Sequence, residues 1–580
     1  MKTKYYKQIA IALVSLLFLA GCASDFLDIQ QKGVTKVTDF YKTDADATGA
    51  IMGCYNMMRG LQASSWTSMW MTKESLSDDI YTGGQSSSDR PEYQELNTFS
   101  FGTTNSPITN IYKYQYMVIY RANMIIDNFK TPTAYQKLVI AEAKAIRAYM
   151  YFDLATLYGN VPLVLHELLP TEYAQPNSAA VTNPDGTITP TGLYAQIEKD
   201  LTEAIADLPR KADLKAANSD ISRFSKGTAQ AFLGKTQLYE KKYSEAAITL
   251  NALIATGDYG LYQLSELKNN DYTQLFRTST EFGKESLFEI SYSSARGNDW
   301  NFTDLFSDPS RTNPSNIVWQ LCGPRGDQGF KGPQDSVVVN GVKVPNLKFK
   351  SSQSINGGWG FGLPTLDLWN AYKNAGDSIR VQATILSEAQ VKAQGGTMLR
   401  VGEPAGGNMI WGCAGLVRLK YTTWADETAT PDQVTKGAVP DLNYGTNLRI
   451  MRYADVLLMA AEANFQAGAN GVALEQINQV RTRVLLPPLT SLSLANIKLE
   501  RRLELSFEGS RYQDLVRWGD AATVLKDQGK LVPTGARVGG VLQYNNNPAA
   551  GFKAPKNNMF PIPFNEISSN PNVKQNPGYN

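Results

Sequence analysis

The 580-residue sequence predicts a mainly α protein, a tetratricopeptide-like helical-hairpin scaffold with a large loop-rich, short-strand insertion. Three observations carry this. Apolar residues recur at three- and four-residue steps from about Phe40 to Tyr262 and again beyond Asn447. Small residues fall where paired helices must approach closely. Between the helical stretches, from about Ser291 to Thr446, periodicity gives way to Gly, Pro, Asn and Ser.

The chain opens with Lys2, Lys4 and Lys7, then an apolar run from Ile9 to Ala20 that is too short to cross a bilayer but suits a secretory leader. Leu19-Ala20-Gly21-Cys22 has the form of a bacterial lipobox, which makes residues 1–21 a lipoprotein signal peptide, Cys22 the lipid attachment site and 22–38 a tether. One acyl chain anchors marginally and two anchor stably, at about 0.8 kcal/mol per buried methylene.

Residues 39–265 read as the N-terminal helical region. Leu138, Ala141, Ala145, Ala148, Phe152 and Ala155 form one apolar stripe, which Gly159 and Pro162 end. Leu233-Gly234, followed by Ala246 and Leu250, has tetratricopeptide spacing, in which small residues let antiparallel helices touch. Residues 266–446 form the loop-rich, ligand-facing region. Its aromatic content argues against disorder, and the Asn-Gly of "DSVVVNGVKV" suits a hairpin turn. In 447–580, Tyr453, Leu457, Ala460, Ala461 and Asn464 share a helix face. The hairpins are scattered rather than tandem, so a regular array is not expected. In "IKLERRLELSFEGSRYQDLVRWGD", Leu499, Leu503 and Phe507 are read as the buried face. Glu500, Arg501, Glu504, Glu508 and Arg511 beside it form an ion-pair ladder, and Gly509 is the helix stop.

Composition narrows the chemistry. Of 56 Lys and Arg, three leave with the leader, and the rest face 54 Asp and Glu. A chain so near neutrality has no field for holding nucleic acid. After Cys22 only Cys54, Cys322 and Cys413 remain, enough for one disulfide at most. His166 is the single histidine, which excludes a multi-histidine metal site. No catalytic residue, cofactor or metal ligand is assigned. A structural calcium ion stays open, because backbone carbonyls leave little sequence trace. Two glutamates of the 500–508 stretch could serve a glycosidase only if about 5–10 Å apart across a cleft, one with a raised pKa. Carboxylates alternating with arginines are instead held charged.

Arg449-Ile450-Met451-Arg452-Tyr453-Ala454-Asp455-Val456-Leu457-Leu458, Glu462-Ala463, "INQVRTR", "ERRLELSFEGSRYQDLVRWG" and "MFPIPFNEISSNPNVKQNPGYN" together resemble the C-terminal half of the SusD/RagB family. "TDFYKTDADATGAIMGCYNMM", "YRANMIIDNF" and "EAKAIRAYMYFDLATLYGNVPLV" resemble its N-terminal half. The resemblance runs in order over nearly the whole chain and implies a SusD-like fold. It implies a non-enzymatic, lipid-anchored outer-membrane protein facing the cell exterior. Such a protein caps a SusC-like TonB-dependent outer-membrane channel and passes it glycan, or peptide in some relatives. Asp25 and Asp28 are compatible with an acidic surface-export signal that Phe26-Leu27 interrupt. These blocks are packing motifs and assign no ligand residue.

A sugar ring has hydroxyl edges and an apolar C–H face, so its site needs flat aromatics and a few hydrogen-bonding groups. Of nine tryptophans, Trp369 and Trp518 sit at helical spacing and read as core, while Trp70, Trp411 and Trp424 are undecided. Trp66, Trp300, Trp319 and Trp359 lie in Gly-, Ser- or Asn-rich segments and, with Tyr81, are the candidate sugar platforms. Asp79 and Arg90 are candidate partners for hydroxyls.

Overall fold

In the computed structural model the described residues are 39–579, apart from 64–67, 170, 173–174, 179–180, 183–187, 190, 218–219, 295–314 and 429–441. Cys22, Trp66 and Trp300, the leader and the tether lie outside them. Helices dominate. Those used below are, in chain order, α1 (Asp44–Ala63), α2 (Met69–Ser75), α3 (Pro91–Thr98), α4 (Ser106–Asn128), α5 (Ala134–Tyr158), α6 (Thr191–Asp207), α7 (Lys226–Tyr239) and α8 (Tyr243–Ala255), then α9 (Val318–Cys322). After the insertion come α10 (Tyr453–Gln466), α11 (Asn470–Thr482), α12 (Leu494–Leu505), α13 (Arg511–Trp518) and α14 (Phe564–Ser569). The strands used below are β1 (Ile80–Gly83), β2 (Ser286–Ile290), β3 (Phe361–Pro364), β4 (Leu448–Arg452), β5 (Leu531–Val538) and β6 (Val541–Asn546). No described helix is long and apolar enough to cross a membrane.

Helix α5 starts at a capping box, Thr133 and Gln136 each accepting from the other's backbone N–H, and stops at Gly159, whose φ of 71° suits glycine. Its alanine stripe is buried between α4 and α6. At Gly234 an added Cβ would lie 2.5 Å from Leu250 Cγ, so glycine sets the close approach of α7 and α8. Helix α8 then packs on α10, which pairs with α11. Hairpins some two hundred residues apart in sequence therefore stack as neighbours. An amide cluster closes that seam: Asn251 Nδ2 donates to Asn464 Oδ1 at 3.1 Å, and Gln476 Nε2 donates to Asn251 Oδ1 at 2.8 Å.

The insertion has a second, smaller core of Phe330, Ile355, Leu363, Leu386, Met409, Ile410 and Trp424, among others. The antiparallel β1–β3 ribbon lies between the two cores, with Ile80 in the helical core and its partner's Leu363 in the smaller one. The Asn-Gly hairpin forms as expected between Ser336–Val339 and Val342–Pro345.

Of the face expected to be buried at α12, Leu503 and Phe507 are buried, each 1% exposed, and Leu499 is the correction, at 42% exposed. Glu504 is 2% exposed, so the charged residues beside them are turned inward as well. The reason is complementary charge from every neighbour. Glu504 accepts from Arg380 Nη1 and Arg452 Nη2, each at 3.0 Å, and also from Arg483. Arg452 and Arg483 also pair with Glu285, and Arg380 with Glu500 and Asp377. Lys420 pairs with Glu508. The arginines hold the Glu504 carboxyl far below the usual range against the opposing effect of burial, while burial pushes Lys420 down to about 8. The helix ends at Leu505, earlier than Gly509. Phe507 itself takes the left-handed conformation, φ 62°, and Gly509 packs against Trp70 and Lys73.

Cys54, Cys322 and Cys413 are free, buried thiols, so no disulfide joins them, and burial pushes them up to about 12, 12 and 11.

Candidate functional site

The surface at the Gly83 end of the β1–β3 ribbon is built from three glycine-containing loops, 84–90, 323–328 and 356–360. Their backbones lie almost in contact. Gly84 N donates to Gly360 O at 2.8 Å, Gly360 N to Gly323 O at 2.7 Å, and Gly326 N to Gly358 O at 3.1 Å. A Cβ on Gly358 would meet Gly323 Cα at 2.6 Å, and one on Gly326 would meet Gly357 Cα at 3.1 Å. Only glycine permits this packing. Trp359 emerges from it half-buried, its N–H donated to Gln320 O at 2.8 Å and its indole against the edge of the helical core.

Arg325 organises the polar side. Its Nη1 donates to Asp89 Oδ2 at 3.1 Å and to Trp359 O at 3.0 Å, and its Nη2 donates to Asp327 Oδ2 at 3.1 Å. Its Nε lies 2.8 Å from Asp327 Oδ1. Asp89 also accepts from Gln85 N at 2.7 Å, and Gln328 Nε2 donates to Gln85 O at 3.2 Å. The next residue, Arg90, takes φ 49° ahead of α3 and pairs with Glu92 at 3.2 Å. The backbone of Trp359 thus stands beside a carboxylate–guanidinium–carboxylate bridge and two amides, while its side chain packs on the helical core. The bridge and the amides can exchange hydrogen bonds with hydroxyls.

Of the residues chosen from sequence, Trp359 and Arg90 fall in this neighbourhood. Tyr81 lies at the opposite end of the ribbon. Burial there, with Tyr544 and Asp367 nearby, pushes its hydroxyl up to about 12. Two expectations are corrected. Trp319 is 1% exposed, donates Nε1–H to Thr446 O at 3.1 Å and stacks on Tyr421 at 5.2 Å, with Trp70 edge-on at 5.3 Å. A ring enclosed on both faces has no platform to offer. It ties the residues after 295–314 to those after 64–67. Asp79 is also 1% exposed and bonded to Arg502 Nε at 2.9 Å, so its carboxylate is spent inside the fold.

Trp66, Trp300 and the lipid-bearing Cys22 lie outside the described residues. Among the undecided tryptophans, Trp70 and Trp424 are core and Trp411 is half-buried. Trp369 and Trp518, expected in the core, are half-buried at helix edges. Sequence reasoning missed Asp89, Arg325 and Asp327. "SSSDRP" and "CGPRGDQG", charged residues set in turn-forming segments, are the signals that point to them.

A larger hollow of about 1020 Å³ lies along α4, lined by Phe40, Tyr41, Tyr112, Tyr116, Tyr120 and α14 among others, and holds none of the residues chosen from sequence. Among the described residues no group of three or more His, Cys, Asp or Glu is placed to hold a metal ion. The glutamates of the stretch considered for acid–base work, Glu500, Glu504 and Glu508, all stand in ion pairs with arginine.

A helical stack that carries a loop-rich insertion with its own small core places the protein among tetratricopeptide-like helical scaffolds. The chain belongs to the SusD family, whose model matches residues 284–579. A second model, described as starch-binding associating with outer membrane, matches residues 25–238. The chain is 24% identical over 545 residues to a SusD-like protein of Formosa agariphila, covering 90% of this chain and 93% of that one. It is 23% identical over 625 residues to the starch-binding protein SusD of Bacteroides thetaiotaomicron, covering all of both. Its fold is similar to that of a laminarin-binding SusD-like protein, with TM-score 0.72 and 29% identity, covering 92% of this chain and 99% of that one.

Proposed function

We propose that this protein is a non-catalytic, lipid-anchored glycan-binding protein of the outer-membrane exterior. It captures oligo- or polysaccharide and delivers it to a SusC-like TonB-dependent channel. The observation that carries the reading is the glycine-packed ridge at Trp359, whose backbone carbonyl adjoins the Asp89–Arg325–Asp327 bridge. Family membership, the sequence at Cys22 and the starch- and laminarin-binding names of relatives support it. Glu500 and Glu504, committed to buried arginines, are poorly placed for hydrolysis, which supports capture without turnover.

The test is electrophoresis of the mature protein in native gels loaded with neutral and charged polysaccharides, with a reducing-end assay in parallel. Retardation by at least one glycan, lost by about tenfold or more in affinity on Trp359→Ala, is expected. Retardation that survives Trp359→Ala but is lost on Tyr120→Ala moves the site to the α4 hollow. Sustained release of reducing ends overturns the non-catalytic reading.

A further inference from the structure

We infer that the hollow along α4 is a second glycan-binding groove, which takes a short run of sugar rings across an open tyrosine. The inference rests on the glycan-capture reading but concerns a different surface from the ridge at Trp359. The sequence of α4 builds the groove's wall. Tyr112, Tyr116 and Tyr120 recur every four residues, so they share a face, about 6 Å apart along the axis. The first two are fixed in place. Tyr112 is buried edge-on to Tyr158 at 5.2 Å, Tyr116 is tilted against it at 4.9 Å, and Tyr116 Oη donates to Pro162 O at 2.6 Å. Tyr120 is 49% exposed, and among the described residues no other ring stacks on it. Its hydroxyl donates to Glu167 Oε1 at 3.4 Å, which steadies the ring by its tip. Phe40 and Tyr41, edge to face at 4.8 Å, and the start of α14 complete the lining.

The groove also holds hydrogen-bonding groups that the fold has not used. Among the described residues the side chains of Asn110, Lys113, Arg121 and Asn565, all in the lining, make no hydrogen bond or ion pair. A Cβ on Gly53 would lie 2.8 Å from Arg121 Nη1, so glycine in α1 leaves the guanidinium its place. Its fork can span adjacent hydroxyls, and Lys113 stands two turns away, about 12 Å along the axis. Glu566, which accepts from Asn570 Nδ2 at 3.0 Å, supplies a carboxylate acceptor. A chain of sugars can therefore lay a C–H face on Tyr120 while its hydroxyls meet donors on either side. A purely apolar occupant would bury the four unused groups without partners, a penalty that a hydroxyl-rich chain avoids. The volume, about 1020 Å³, is at the top of the range for small-ligand sites and suits several linked sugars rather than one.

The experiment uses the mature full chain with Tyr120→Ala, Tyr120→Phe, Arg121→Ala and Trp359→Ala, the first three also combined with Trp359→Ala. Probes are the hexasaccharides of starch, laminarin and xylan, and titration calorimetry reads affinity and stoichiometry. The expected result is that at least one hexasaccharide still binds the Trp359→Ala protein, and that adding Tyr120→Ala weakens this binding about tenfold or more. Tyr120→Phe, which keeps the ring, should stay within about threefold, and Arg121→Ala should weaken binding about threefold or more. Binding that is abolished by Trp359→Ala and untouched by Tyr120→Ala overturns the groove and leaves glycan capture standing. Loss in Tyr120→Phe equal to that in Tyr120→Ala overturns the ring as the platform. No hexasaccharide bound by the unaltered protein overturns this inference, and if no polysaccharide retards the protein either, the capture reading falls with it.

Discussion

Glu504 gives the sharpest test of whether the inward charges of α12 are structural. Replacement by Gln keeps the shape of the side chain and removes one negative charge from among Arg380, Arg452 and Arg483. Each guanidinium retains another carboxylate, Asp377 or Glu500 for Arg380 and Glu285 for the other two, so the loss is partial. Removing one partner from a buried ion pair costs about 3–5 kcal/mol. With the remaining carboxylates in place, about 3 kcal/mol at pH 7 is the expected loss by that rule.

The pH dependence has a definite sign. The folded-state pKa of Glu504 is depressed below its ordinary 4.5, so its stabilisation is fully present above that value and fades as pH falls below it. Urea unfolding of both proteins at pH 7 and at about pH 3.5 should therefore show a gap that narrows at the lower pH. Glu504→Gln within about 1 kcal/mol of the parent at pH 7, or a gap that widens on acidification, would refute the electrostatic account. A role as general acid predicts the opposite pattern, with stability intact and a turnover abolished.

Three further outcomes follow from the packing. Gly234→Ala places a Cβ 2.5 Å from Leu250 Cγ and should destabilise the α7–α8 hairpin by about 1–3 kcal/mol, read as a lowered thermal midpoint. Trp319→Ala removes a fully buried ring and should cost about 3–5 kcal/mol, whereas Trp359→Ala, which truncates a half-buried ring at the core's edge, should lower the midpoint less. Cys54, Cys322 and Cys413 should resist a thiol reagent in the native protein at pH 8 and react together on unfolding, because burial raises all three well above that pH. Rapid native labelling of any of them would contradict the burial.

The helical stack was readable because its signals are local. The alanine stripe of α5, the Gly159 stop and the Leu233-Gly234 to Leu250 spacing each report a periodicity or a close approach within tens of residues. What failed were judgements that depend on partners far along the chain. Leu503 and Phe507 are buried as their spacing implies, but the exposure of Leu499 and the burial of Glu500 and Glu504 cannot be read while Arg380, Arg452 and Arg483 are out of sight. Once these guanidinia converge, the charged face has a better partner inside than water. Trp319 misled for a related reason. Its glycine-rich surroundings suggest exposure, yet Trp70 and Tyr421, each about one hundred residues or more distant or brought in from α2, enclose it. Asp89, Arg325 and Asp327 escaped notice because each is an ordinary turn residue until two loops distant in sequence bring them together.

The separate apolar cluster within the insertion has a corollary for tolerance to change. Because Phe330, Ile355, Leu386 and Met409 support the loop surface from within the insertion, residues on the loops can drift without loosening the hairpin stack. Short turns on that surface can therefore be rewritten while the frame that holds them keeps its packing.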